Sequence, residues 1–403
     1  MFVALAFAVL TAAQQPQQPV EFSVDAGHTI VEFSVGFALS HVKGRFSQTH
    51  GTILYDSAHF ERSSISIVIE SNSIDTGWPH RDDHLKSDDF FDVEKFPAIT
   101  FQSDQIVRRG TGWSMSGPLT MHGVTRRVSI PFALLAQPSR SPASPNLILN
   151  AEGSLRLARK DFGVLGGDKH NSWFTALRSA TVSDTVDISL EIEGWVEDRV
   201  AQRPAPIDAA LDRIKKEGVD AQIARMRQYK STASPADFAR TFHGTDLVVR
   251  ALVGDGRTQE AVALAGAITD LYPDLASASL LNGFVQGTSG NASAAAASYA
   301  RAKQVFRPPA RDPNERFPQI DDTWYYADQF TRAAIDMGRA RAAVPLARTM
   351  TEMYPGAARS FVTLGLALAQ TGDTAGARAA YARALELDPT ETRALEWKRR
   401  LAN

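Results

Sequence analysis

The chain of 403 residues contains no cysteine, which excludes disulfide bonds, thiolate metal sites and cysteine nucleophiles. Long apolar runs are missing too. The run at residues 2–10 is far shorter than the ~20 apolar residues that cross a bilayer, so we do not expect an integral membrane protein. No basic run with interleaved aromatic residues occurs, which argues against a nucleic-acid partner.

Neither sign of charge dominates the chain as a whole, since the formal net charge is −2. The two halves differ, however. Residues 14–198 hold 16 Lys and Arg against 23 Asp and Glu, a net of −7, whereas residues 199–403 hold 27 against 22, a net of +5. Residues 199–206 contain two prolines and read as a linker. A two-domain chain with its boundary near residue 200 is therefore predicted.

The N-terminus has the pattern of a secretory signal. The apolar run at residues 2–10 ends in Thr11, Ala12 and Ala13 and is followed by a polar stretch rich in Gln and Pro. We predict a signal peptide over residues 1–13 and a periplasmic or secreted protein. The sequence departs from the usual pattern because no Lys or Arg precedes the run.

Between residues 21 and 198 the dominant hydrophobic period is two, which indicates strands with one apolar and one wet face. The clearest apolar rows are Val31–Phe33–Val35–Phe37, Ile65–Ile67–Ile69 and Val128–Ile130–Phe132–Leu134. Turn residues at short intervals favour antiparallel connections. About eight such strands would bury their apolar faces by closing into a barrel. Periodicity alone leaves a β-sandwich open.

Two motifs point to a family. Residues 71–103 combine a polar turn, a charged segment, the aromatic pair Phe90–Phe91 and a break at Pro97, and residues 117–128 read GPLTMHGVTRRV. A later segment, residues 159–163, reads RKDFG. In these motifs the chain resembles the YceI-like family, small periplasmic or secreted proteins that hold polyisoprenoid or similar lipids. The resemblance covers residues 21–197 and implies an antiparallel, lipocalin-like β-barrel with a lipid ligand and no other cofactor.

Aromatic residues are the candidate lining of the barrel lumen that the resemblance implies: Phe33, Phe37, Phe46, Phe90, Phe91, Phe101 and Phe162. The alternative is that each fills a solid core. Polar candidates for the barrel mouth are Asp75, Arg81, Asp82, His84 and His122. Arg81 and His84 could meet an anionic or polar head group with Asp82 orienting one of them; alternatively, these residues anchor a short helix or lid, and His122 fixes a turn.

No catalytic or metal constellation emerges from the spacing. His80 and His84 lie one helical turn apart, but no third ligand is marked and the HExxH pattern is absent. A GxSxG elbow is absent as well. We expect neither an enzyme nor a metal protein.

Residues 207–403 change to Ala-rich helical periods that repeat. Four segments of small residues end at prolines, and Pro273 and Pro308 are 35 positions apart, whereas Pro355 and Pro389 are 34 apart. A helix pair of about 34 residues ending in proline is typical of the tetratricopeptide repeat. An all-α, tetratricopeptide-type solenoid is predicted, with Gly365 and Ala377 allowing close helix approach and Tyr381 filling the groove. An unrelated array of helical hairpins is the alternative.

The expected function is non-catalytic binding, carriage or sequestration of an isoprenoid or other long-chain lipid, with the repeats available to a peptide or protein partner. The alternative is a protein-interaction scaffold in which the repeat domain carries the function and the barrel is structural. A hydrolase or isomerase is a third class that no residue pattern supports.

Overall fold

The structure of the chain is a computed structural model. It describes residues 19–37, 40–140, 146–166, 182–197, 205–230, 235–308 and 322–401. It divides into two compact units, Met1–Asp198 and Arg199–Asn403. The predicted signal peptide and most of the predicted linker lie outside the described residues. Each unit has its own apolar core.

The first unit is an antiparallel β structure with thirteen described strands. They are β1 Val20–Val24, β2 Ile30–Phe37, β3 Ser40–Phe46, β4 Thr49–Tyr55, β5 Ser64–Glu70, β6 Ile74–Asp75, β7 Ala98–Gln102, β8 Gln105–Arg109, β9 Gly112–Met121, β10 Val124–Leu134, β11 Ser139–Arg140, β12 Asn146–Ala158 and β13 Val182–Glu197. One helix, α1 (Pro79–Lys86), and three 3₁₀ turns, Phe60–Arg62, Ser71–Ser73 and Arg159–Phe162, complete this unit in the described residues.

These strands form a closed eight-stranded barrel, which confirms the predicted fold. Four positions are occupied by strands that break and resume, namely β1 with β2, β3 with β4, β5 with β6 and β7 with β8. The other four are β9, β10, β12 and β13. Each position pairs with its neighbour in sequence order, and β13 returns to pair with β1 and β2, so the ring is an up-and-down meander.

The rows that face the inside are set by this register. On β13, Ile188, Leu190 and Ile192 point inward while Asp187 and Glu191 point outward. At the end formed by β1, β4 and the β8–β9 turn, several residues of the same inward rows are buried, including Phe22, Ile53 and Met115, and the half-buried rings of Trp113 and Phe132 both pack on Phe60. This end is a packed core.

The opposite end, where α1 lies, is not uniform. Its inward residues are buried on β5, β7 and β9, as at Ile69, Ile99 and Leu119. On the neighbouring strands β2, β10, β12 and β13 several apolar inward residues are only half buried, although Val31 of β2 is buried. We call this half-buried apolar surface the open wall; it comprises Phe33, Val35, Val128, Leu155, Ile188 and Leu190.

The second unit is all-α, with eleven described helices, so the predicted helical class is confirmed. They are α2 Ala205–Glu217, α3 Val219–Lys230, α4 Pro235–Gly254, α5 Thr258–Leu271, α6 Ala276–Thr288, α7 Ala292–Val305, α8 Asp322–Asp336, α9 Ala340–Met353, α10 Ala358–Gln370, α11 Thr374–Leu387 and α12 Thr392–Arg400. Helix α2 begins at Ala205, inside the predicted linker, with Pro206 in its first turn. In the described part of the chain, none of the helices has the length and hydropathy needed to span a membrane.

Successive helices pair through small residues that face a tyrosine. A Cβ added to Gly365 of α10 would overlap the ring of Tyr381 on α11, and a Cβ added to Gly283 of α6 would overlap Tyr299 on α7. Both tyrosines are buried. The close approach predicted for the last repeat is therefore present, and an earlier repeat uses the same packing.

This packing predicts opposite effects for one substitution at two glycines. Gly365→Ala should destabilise the repeat unit by about 1–3 kcal/mol because the added methyl displaces Tyr381. Gly266→Ala, within α5, meets no atom within 4 Å and should stabilise the unit by about 0.5–1 kcal/mol through helix propensity. Urea unfolding followed by circular dichroism at the helical signal measures both. Equal effects would contradict the close approach.

Because each unit has its own core, we propose that the units fold independently. A fragment ending near Asp198 should show a β-type circular dichroism spectrum, and one beginning near Arg203 a helical spectrum, each with a cooperative thermal transition. Aggregation of either fragment under conditions in which the full chain stays soluble would show that the two form one folding unit.

Candidate functional site

The open wall begins a chain of aromatic contacts that runs toward α1. The Phe33 ring centroid lies 5.8 Å from that of Phe46, and Phe46 lies 5.8 Å from Phe91, which follows α1. Phe46 is buried, whereas Phe33 and Phe91 are half buried. The structure therefore brings three of the seven predicted lumen aromatics into one contact chain.

The other four predicted lumen aromatics occupy different environments. Phe90 is half buried, and its ring is 5.2 Å from that of His84. Phe101 on β7 and Phe162 in the 3₁₀ turn Arg159–Phe162 are buried in the core. For these two positions the structure agrees with the alternative that the ring fills a solid core. Phe37 is 44 % exposed at the last residue of β2, so it stands at the rim.

Helix α1 is attached to the barrel by a network around Thr76. The buried Asp82 carboxylate accepts hydrogen bonds from the Thr76 N–H (3.0 Å) and the Thr76 hydroxyl. Arg81 donates from Nε to Thr76 Oγ1 at 2.7 Å and from Nη2 to the Thr76 carbonyl at 2.8 Å. Its guanidinium lies 5.5 Å from the ring centroid of Trp78, which is 56 % exposed. Arg81 and Asp82 thus meet through one threonine.

The remaining polar candidates do not join this network. Asp75 lies on the outward row, with an oxygen 3.5 Å from Arg45 Nε. His84 Nε2 is 3.1 Å from Asp89 Oδ2. His122 occupies the turn between β9 and β10, as predicted, with a left-handed φ of 52° and its ring 4.5 Å from that of Phe96. The segment between β6 and β7 is therefore held near both of its ends.

The burial of the charged residue Arg159 was not predicted from the sequence. Arg159 is 6 % exposed, and it donates from Nε to the Ser183 carbonyl at 3.0 Å and from Nη1 to the Val164 carbonyl at 2.7 Å. It begins the RKDFG segment, whose Gly163 has a φ of 75°. The sequence shows the RKDFG motif, but residue spacing does not predict that Arg159 is buried and donates hydrogen bonds to backbone carbonyls.

Comparison with known proteins identifies the barrel. A family model described as the YceI-like domain matches residues 22–194. A UPF0312 protein of Pseudomonas paraeruginosa is 31% identical over 193 residues, which cover 48% of this chain and 94% of that protein. The chain belongs to the YceI-like family. A tetratricopeptide repeat model matches residues 331–392 and thereby decides against an unrelated helical array.

Two solved structures resemble the YceI-like barrel. BcnA of Burkholderia cenocepacia shares 23% identity at a TM-score of 0.37, covering 42% of this chain and 98% of that one. A polyisoprenoid binding domain from Saccharophagus degradans, implicated in plant cell wall breakdown, shares 17% identity at a TM-score of 0.31, covering 43% and 97%.

The repeat unit has an open depression of about 670 Å³ where the turns of three helix pairs converge. It is lined by the end of α6, the start of α9 and the end of α10. Arg339 donates to the Thr288 carbonyl at 2.8 Å across it, and Arg341 also lines it. The lining is polar and basic.

The Thr76 network predicts that Asp82 holds α1 in place. Asp82→Ala should destabilise the YceI-like barrel by about 1–3 kcal/mol, because the Thr76 N–H and O–H lose their buried acceptor. Hydrogen exchange of peptides covering residues 76–86 should become faster. Asp83→Ala is the matched control, since Asp83 is exposed on the same helix. If hydrogen exchange of these peptides is unchanged in the Asp82→Ala variant, Asp82 does not anchor α1.

A second prediction concerns the turn between β1 and β2. His28 Nδ1 is 2.9 Å from Asp25 Oδ2 and 3.5 Å from Glu193 Oε1. The hydrogen bond to Asp25, together with the charges of Asp25 and Glu193, raises the pKa of His28 above its ordinary value of 6.5. Its stabilising contribution is therefore fully present below 6.5 and is lost as the pH rises through the higher pKa of the folded state.

The difference in unfolding free energy between the native chain and His28→Gln, followed across this pH range, measures that loss. Asp25→Asn should move the NMR titration of the His28 ring back toward 6.5. A stability difference that does not change with pH would contradict the coupling.

Proposed function

We propose that the YceI-like barrel binds and carries, without catalysis, an isoprenoid or other long-chain lipid. The observation that carries this proposal is the open wall, an inward-facing apolar surface that stays half exposed although it stands on barrel strands. A soluble protein leaves such a surface uncovered at a free-energy cost, and a lipid tail would remove it from water.

An apolar chain alone would supply enough binding free energy. Burying ten methylene-sized units at ~0.8 kcal/mol each gives ~8 kcal/mol before the costs of immobilisation are subtracted. No strong polar anchor is required for affinity. Polar groups at the mouth would instead select among lipids of similar length.

The geometry at the mouth supports binding rather than chemistry. His84 contacts the carboxylate of Asp89, and His122 contacts the ring of Phe96. Neither contact activates a nucleophile. Arg81 and Asp82 are engaged with Thr76 and so support the lid-anchoring role.

The tetratricopeptide unit is proposed to dock a peptide or protein while the barrel holds the lipid. Its net charge of +5, counted from residue 199, and the arginines of the depression near α9 favour an acidic partner and salt-sensitive association. An interaction scaffold with an inert barrel is the alternative, but it gives no reason for the open wall. The N-terminal apolar run supports export to the periplasm or the medium.

Substitutions on opposite faces of β2 test the lipid site. Phe33→Asp should abolish the lipid that co-purifies with the protein, because it places a charge in the apolar wall. Ser34→Asp, one residue on and facing outward, should leave the lipid load unchanged. Organic extraction followed by mass spectrometry measures the load. A folded Phe33→Asp protein with its full lipid content would place the lipid elsewhere.

A further inference from the structure

The register of β10 places a positive charge on an inward row. Val128, Ile130 and Phe132 belong to this row and pack with the barrel core. Arg126 lies on the same row, directly opposite Leu119 of β9, which is buried. Arg126 itself is exposed. An apolar row of period two is therefore interrupted by an arginine near its end.

In the register of β8, β9 and β10, two arginines lie on inward rows, Arg126 and Arg108. Arg108 lies beside the β8–β9 turn at the packed end, and its guanidinium carbon is 5.8 Å from the Trp113 ring centroid. Arg126 lies at the end that carries the open wall. The two arginines therefore mark opposite ends of the barrel interior.

Arg126 differs from its neighbour in its partners. Arg127 faces outward and makes a two-point ion pair with Asp104 at 2.6 and 2.8 Å. Within the described residues Arg126 has no carboxylate in ion-pair range, and its recorded hydrogen bond is a long one, 3.4 Å from Nη1 to the Thr125 carbonyl. Its guanidinium donors thus remain available to a ligand.

The wall beside Arg126 has a gap in its backbone pairing. In the described strands the β10–β12 ladder runs only from Phe132 to Leu134, opposite Ala151 to Gly153. It stops next to Pro131, which has no N–H to donate. Beyond this point β12 continues to Ala158, paired with β13. Arg126 therefore lies on the part of β10 that, among the described residues, has no backbone pairing with β12. The half-buried open-wall residues Val128 and Leu155 belong to the same mutually unpaired parts of the two strands.

We propose that Arg126 binds the head group of the carried lipid, and that the barrel prefers a lipid whose polar end is negatively charged, a phosphate or a carboxylate. This inference rests on the proposed lipid-binding function and adds the charge of the ligand. A tail lying along the open wall leaves its polar end at the gap between β10 and β12. A guanidinium there makes charge-assisted, two-point hydrogen bonds with a phosphate or a carboxylate, which an alcohol cannot replace.

Two pairs of probes that differ only in the charged group test the inference on the full chain. They are a polyprenyl monophosphate with the polyprenol of equal length, and a long-chain fatty acid with its alcohol. Arg126→Gln should weaken binding of the charged member about tenfold or more and change binding of the neutral member less than about twofold. Comparing the two pairs shows whether phosphate or carboxylate is preferred.

Arg127→Gln and Arg108→Gln are matched controls, because each removes one positive charge from the barrel, on its outer face and at its packed end respectively. Neither should alter the preference for the charged lipid. If the native protein binds both members of each pair equally, or if all three variants lose the same affinity, the head-group site is wrong while lipid binding stands. If the native protein binds none of the four lipids, the lipid-binding function itself is wrong.

Discussion

Strand β13 is paired along both of its edges, and the closure of the barrel depends on this double pairing. One edge meets β12 in an unbroken ladder from Thr185 to Glu197. The other meets β2 and then β1, across the break at residues 25–29. A barrel closed in this way has no exposed sheet edge at that strand. The same ladder sets the inward rows, because a slip of one residue would exchange Leu190 for Glu191.

Closure divides the interior into parts with different tasks. The end around Phe22 and Ile53 is buried and supplies the stability of the unit. The wall formed by β2, β10, β12 and β13 at the other end keeps its apolar side chains half exposed. The segment that contains α1 reaches this end from β6, fixed at Thr76 and again where Phe96 meets His122. The half-buried apolar wall is thus built on strands that are also paired outside it.

Much of this fold could be predicted from local patterns. The alternation at Phe33, Ile67 and Ile130 identified strands and their buried faces, because period two follows directly from the pleat. The spacing of prolines and the Gly365–Tyr381 pair identified the repeats, since helix packing there depends on residues close in sequence. The closure into a barrel rather than a sandwich came from family resemblance.

The site could be predicted only in part, for a physical reason. Whether Phe37 is exposed and Phe162 is buried depends on which strands and turns cover them, which is a property of tertiary structure. The partner of a charged residue is equally non-local: Arg159 bonds to the Ser183 carbonyl, 24 residues away. Arg126 carried a readable signal, a charge on an apolar row, but its lack of a carboxylate partner in the described strands emerges only from the folded barrel.

We propose that the open wall is the contact surface of a bound lipid. Native mass spectrometry of the full chain, purified gently and then incubated with a total lipid extract, tests it most directly. One added lipid mass per chain is expected, released when the protein is unfolded and absent from the Phe33→Asp variant. A spectrum containing only the bare polypeptide, or adducts that persist unchanged in that variant, would contradict it.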